Sequence, residues 1–138
     1  MKKLTLGLGA IALGACSDKI YQGIKDTWDK LIFKDFITLR KVIKEYEEMV
    51  QIYPSYFNDS KFLEFRKSYK YDADTINNIR KHLFRSLKRE KLIQIGTTME
   101  AFMEYSDKYL KNDETALKIS WRFCSMNMKF NDALLQLN

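Results

Sequence analysis

The residues that could carry chemistry in this chain are few. His82 is the only histidine, and Cys16 and Cys124 are the only cysteines. A Ser-His-Asp or Cys-His relay needs a histidine that a third group orients, and one histidine inside the cationic run Arg80-Lys81-His82 offers no such setting. No Cys/His spacing suits a metal ion. Beyond residue 15 the glycines are Gly23 and Gly96 alone, too few to build a phosphate-cradling loop. Glu100, Glu104 and Asp107 fall on one helical face. A di-metal carboxylate site would need Glu-x-x-His on its helices, which is missing. Lys108 and Lys111 stand three or four residues from these acids, so the row reads as a solvated, ion-paired face. Neither catalysis, nor a metal, nor a cofactor is expected.

The N-terminus carries a different kind of chemistry. Met1-Lys2-Lys3 is a short positive start, and residues 4–15 (LTLGLGAIALGA) form an uncharged apolar run. That run is too short for a membrane-spanning helix, which needs about 20 residues, and it fits the apolar segment of an export signal. Gly7, Gly9 and Gly14 argue against a buried helix, at roughly 1 kcal/mol each relative to alanine. The run ends at Leu13-Gly14-Ala15-Cys16, which resembles the lipobox of bacterial lipoproteins. The resemblance implies a diacylglyceryl thioether on Cys16, cleavage after Ala15, and acylation of the new amino group, as by palmitate. Ser17 at the next position resembles the residue that permits sorting to the outer membrane in enteric-type cells, so its periplasmic face is the implied location. Two or more acyl chains hold a protein to a bilayer stably.

Removing residues 1–15 of 138 leaves 123, one domain's worth, and lowers the net charge from +6 to +4 as Lys2 and Lys3 leave. The expected organisation is a signal peptide over 1–15 and a single helical domain over 16–138, tethered through Cys16. Lipidation would leave Cys124 without an intramolecular partner. It lies on an apolar stripe, so a buried thiol is expected; an intermolecular disulfide or a reactive thiol is the other reading.

A basic stripe, Lys81, Arg85, Lys88 and Arg89, is the most distinctive charge feature. It could meet an anionic lipid headgroup or an acidic protein. It could equally pair within the chain with Glu45, Glu47 and Glu48. Nucleic acid is not an expected partner of an exported chain. Basic residues precede acidic ones along this stretch, opposite to what the helix dipole favours, so a neighbouring helix or a partner would have to account for the order.

Helices must position all of these groups. Pro54 is the only proline, and turn residues are scarce. Three-four spacing predicts a first helix over 18–53 with a seam of Trp28, Ile32, Phe36, Leu39, Ile43, Tyr46, Val50 and Tyr53, widened by Val42 and Met49. Pro54 should end it. A short helix follows over 61–71, capped from Asn58, Asp59 or Ser60. A third is expected over 75–111, capped by Asp74 and bent at Gly96. A fourth, over 114–137 and capped by Asn112-Asp113, has one apolar face through Ala116, Ile119, Phe123, Met126, Phe130, Leu134 and Leu137. A second apolar face runs through Leu117, Trp121, Cys124, Met128 and Leu135. Helices apolar over most of their girth are normally buried, so this one should lie between the other long helices. The fold expected is all-α: an elongated antiparallel helical bundle of three long helices plus one short one.

The function that follows is a non-enzymatic, membrane-anchored helical module in the periplasm that contacts an envelope protein. An accessory factor of an envelope or secretion machine, or an exclusion or immunity lipoprotein, would fit. The alternative is a carrier of a hydrophobic ligand, favoured by a void between the helices. The oligomeric state is left open. Mass spectrometry of the membrane fraction should find an acylated N-terminal Cys16 and no residues 1–15. An intact Met1, or release of the protein by high salt, would exclude the lipid anchor.

Overall fold

The computed structural model describes residues 33–80 and 87–138, and every element among them is a helix. The helices are α1 (residues 33–52), α2 (Pro54–Phe57), α3 (Ser60–Ser68), α4 (Asp74–Asn77), α5 (Arg89–Tyr109) and α6 (Glu114–Gln136). Three are long, α3 is short, and α2 and α4 are single turns. The packing described below is that of the compact unit Asp35–Asn138.

Helix boundaries follow local chemistry. The N–H of Tyr53 still bonds to Met49 O at 2.9 Å, but Tyr53 itself leaves helical geometry at φ −120°, ψ 53°. Pro54 forces that exit, because its ring disfavours the α region in the residue before it. The same proline then opens α2, where its missing N–H costs nothing. Asp59 caps α3: its Oδ2 accepts the Phe62 N–H at 3.1 Å, a bond worth about 1 kcal/mol. Asp113 does the same for α6, accepting the Ala116 N–H at 3.0 Å. Its carboxylate also accepts the Tyr56 hydroxyl, at 2.9 and 2.8 Å from the two oxygens, tying α2 to the start of α6. The Ala116 N–H first, and the Tyr56 hydroxyl second, hold the Asp113 carboxyl below its usual range; the same bond pushes the Tyr56 phenol up.

The core is a cluster of rings. Phe57 lies 5.1 Å from Phe102 and 5.6 Å from Phe123, centroid to centroid. Phe62 meets Phe102 edge-on at 5.4 Å, and Phe102 meets Phe123 at 5.8 Å. Tyr46 stacks on Phe123 from α1 at 6.4 Å. All five are buried. Leu39, Val42, Tyr46 and Met49 are the buried positions of α1, so its seam is centred on Val42 and Met49, while Ile43 and Val50 sit at its margin. The N-terminal part of the expected first helix lies outside the described residues.

Four expectations are corrected. The second helix ends at Ser68, and Tyr69 is already extended (φ −71°, ψ 129°). The third helix is not one element: the chain leaves α4 at Asn78, and α5 begins only at Arg89, with Lys88 extended before it (φ −83°, ψ 122°). Ala73 is the N-cap residue of α4, and Asp74 is its first helical residue. Breaking the helix lets Ile76, Ile79 and Leu87 all reach the core. The Arg80 N–H meets Leu137 O at 3.5 Å, joining this segment to the end of α6. Asn77-Asn78 eases the break, since asparagine side chains compete for backbone bonds. Finally, α6 is not enclosed: one face is buried and the other is open.

Gly96 lies inside α5, where the helix runs on through it, and serves close approach. A Cβ there would overlap the Tyr71 hydroxyl and ring. Burial first, and the Glu100 carboxylate second, push the Tyr71 phenol up to about 12. Alanine normally stabilises a helix by about 1 kcal/mol over glycine. Here Gly96→Ala should instead lower stability by about 1–3 kcal/mol through overpacking. The sign should reverse in a Tyr71→Ser background, as denaturant melts of the single and double variants would show. Stabilisation by Gly96→Ala alone would contradict the tight Tyr71–Gly96 contact.

Candidate interaction surface

Four of the eight exposed large apolar side chains among the described residues lie on the open face of α6. Its two apolar faces are offset by one or two residues. Ala116, Ile119, Phe123, Met126, Phe130, Leu134 and Leu137 are buried, as the spacing predicts. The second face stays in solvent: Leu117 is 46% exposed, Trp121 70%, Met128 64% and Leu135 56%, with Cys124 exposed among them. The expectation of a buried Cys124 is therefore corrected. One flank of α6 covers the ring cluster, and the adjoining flank points away from it.

The spacing of the exposed residues is informative. From Leu117 the steps are four, three and four to Trp121, Cys124 and Met128, then three and four through the half-buried Asn131 to Leu135. Alternating threes and fours match the a/d spacing found along helices that pair with another helix. Lys118, Ser125 and Asp132 border the seam on one side and are exposed. Neither Lys118 nor Asp132 makes an ion pair among the described residues, whereas Arg122, next to Trp121 in the chain, is held 2.7 Å from Glu45 of α1.

The basic stripe is placed only in part. Lys81, His82 and Arg85 lie outside the described residues, as do Cys16 and Ser17, the expected lipidation and sorting positions. Lys88 and Arg89 are exposed at the start of α5. Lys88 is extended, so it does not lead into α5 in helical geometry. The intramolecular alternative is realised one turn further on, where Lys91 Nζ reaches Glu47 Oε2 at 2.6 Å. Two members of the acidic row have partners: Glu100 accepts the Tyr69 hydroxyl at 3.2 Å from outside the helix, and Glu104 lies 3.9 Å from Lys108 one turn on.

A hollow of about 770 Å³ opens on another side, between Tyr56, Asp59, Phe65, Tyr105 and Tyr109. It is a surface groove. Phe65 is packed edge-on by Tyr105 at 5.4 Å and Tyr109 at 6.1 Å, with Lys108 Nζ 5.8 Å from its ring centre. The Tyr105 hydroxyl reaches Asp59 at 3.4 Å. Among the described residues no three His, Cys, Asp or Glu side chains are grouped to hold a metal ion, and no helix is long and apolar enough to cross a membrane.

No protein family matches the chain, and no curated protein or solved structure is significantly similar to it. Five of the six seam residues are legible in the sequence, because Leu117, Trp121, Cys124, Met128 and Leu135 form a second apolar face there; Asn131 is not among them. Its exposure had no sequence signal, since a stripe reads the same whether a neighbouring element covers it or not. Trp121→Gln should change the stability of the dilute full chain by no more than about 0.5 kcal/mol. Phe123→Ala, two residues away, should cost about 3–5 kcal/mol. Equal losses in urea melts would mean that both faces of α6 are buried.

Proposed function

We propose that the protein is a lipoprotein anchored through Cys16 on the periplasmic side of the envelope, at the outer membrane where the cell has one. The described helices then form an elongated antiparallel bundle that works as a non-enzymatic protein-interaction module. The anchor rests on Leu13-Gly14-Ala15-Cys16 and Ser17. The module rests on one observation above the others: a seam of helix-pairing spacing, with Trp121 at 70% exposure, that α6 presents to solvent. Large exposed apolar patches mark contact sites in soluble domains, and tryptophan is the residue type most enriched among interface anchors. The exposed Lys88 and Arg89, with Lys81 and Arg85, remain candidates for an anionic contact at the edge of such a partner. The carrier alternative has less support, because the rings of Phe57, Phe62, Phe102 and Phe123 fill the space between the helices.

The test is a photo-crosslinking amino acid at Met128 in the full chain, expressed in its membrane. A discrete protein adduct is expected from Met128 and none of the same mass from Lys67, which is exposed on α3. Trp121→Lys should reduce the adduct at least tenfold while leaving helix content unchanged. No adduct from Met128, or the same products from both positions, would overturn the interaction-module reading.

A further inference from the structure

The exposed face of α6 has a property that narrows the partner. With Leu117 at a d position, the seam reads d-a-d-a-d-a through Trp121, Cys124, Met128, Asn131 and Leu135. In an antiparallel pair of helices each a residue faces a d residue of its mate. A two-fold axis crossing α6 at the level of Met126 brings every layer into register with a copy of itself. Leu117 then faces Leu135 of the second copy, Trp121 faces Asn131, and Cys124 faces Met128, each twice by symmetry. The largest side chain of the seam meets a small one, which is how interdigitating layers fill space. At the same register Lys118 comes beside Asp132 of the second copy on both sides of the axis. These are the exposed, unpaired charges that border the seam. In a parallel pair Trp121 would meet Trp121, and Lys118 and Asp132 would stand well apart along the axis.

We infer that the partner of this face is a second copy of the same chain, docked α6 against α6 in antiparallel fashion. This rests on the reading of the chain as an interaction module and names its partner. The seam spans about 27 Å of helix axis. Confinement of both copies to one membrane would raise their effective concentration, so a pairing too weak to persist in dilute solution can form there. The bordering charges set the direction of pairing more than its strength, since exposed ion pairs contribute little.

The geometry makes a specific demand on thiols. Cys124 and its counterpart stand about 6 Å apart along the axes, on helices about 8–10 Å apart. Their Cα atoms therefore exceed the roughly 4.4–6.8 Å that a disulfide spans. Position 128 of the second copy, in contrast, shares a layer with Cys124. Mild oxidation of membranes bearing the full-length Met128→Cys protein should give a disulfide dimer, and the unsubstituted chain should give at least tenfold less. Cys124→Ser in the Met128→Cys protein should abolish the dimer, which also removes Cys16 as its source. Lys118→Asp should cut dimer yield several-fold, and adding Asp132→Lys should restore it. Circular dichroism of each variant checks that helix content is kept, and all of these positions are exposed. A Met128→Cys protein that stays monomeric, or a charge exchange without rescue, overturns the self-pairing. If the Met128 photo-adduct then has a mass other than twice the chain, the interaction module survives and only the identity of its partner falls. If there is no adduct either, both fall together. A monomer with Cys124 protected from a thiol reagent would show that the chain's own N-terminal segment covers the seam, which also overturns self-pairing.

Discussion

The meeting of Phe57, Phe62, Phe102 and Phe123 is the contact on which the described fold depends. These four rings come from α2, α3, α5 and α6, and Tyr46 of α1 stacks against the last of them. Five helices thus converge on one apolar volume. Edge-on and tilted contacts at these separations each add about 0.5–1.5 kcal/mol beyond the area they bury. The single turn of α2 has no stability of its own. It exists because Pro54 presets its first residue and because Phe57 is held by three neighbours. The Tyr56–Asp113 bond fixes that turn against α6, so the cap of one helix also positions another.

The same convergence explains why α6 is two-faced. A helix can commit only one flank to a ring cluster of this size. The flank carrying Phe123, Met126 and Phe130 is drawn in, and the flank carrying Trp121 and Met128 is turned outward. Arg122 then lies over α1, where Glu45 meets it at 2.7 Å. The apolar seam is left facing solvent beside charges that find no partner of their own.

Charge takes a secondary part in the fold. Lys91–Glu47 and Arg122–Glu45 link α5 and α6 to α1 at exposed positions, where such pairs contribute up to about 1 kcal/mol. They orient elements that the ring cluster already holds. The start of α5 is basic, against the helix dipole, and Lys91 shows why that order is tolerated: an acid on α1 answers it.

Local chemistry was legible in the residues themselves. The end of α1 before Pro54, the caps at Asp59 and Asp113, the all-helical class and the buried face of α6 all follow from rules that act over one or two turns. The resemblance of Leu13-Gly14-Ala15-Cys16 to a lipobox, too, is a matter of adjacent residues, and it rests on the sequence alone. The break between α4 and α5 could not be read in this way, because continuous periodicity describes one helix as well as two that share a core. Nor could the exposure of Trp121, Cys124 and Met128, since a pattern of apolar residues specifies which side chains want cover and not whether anything is there to cover them. Gly96 looked like a bend and proved to be the floor under Tyr71, a contact between residues 25 positions apart. These features were decided by how many faces one ring cluster can accept, which only the assembled helices determine.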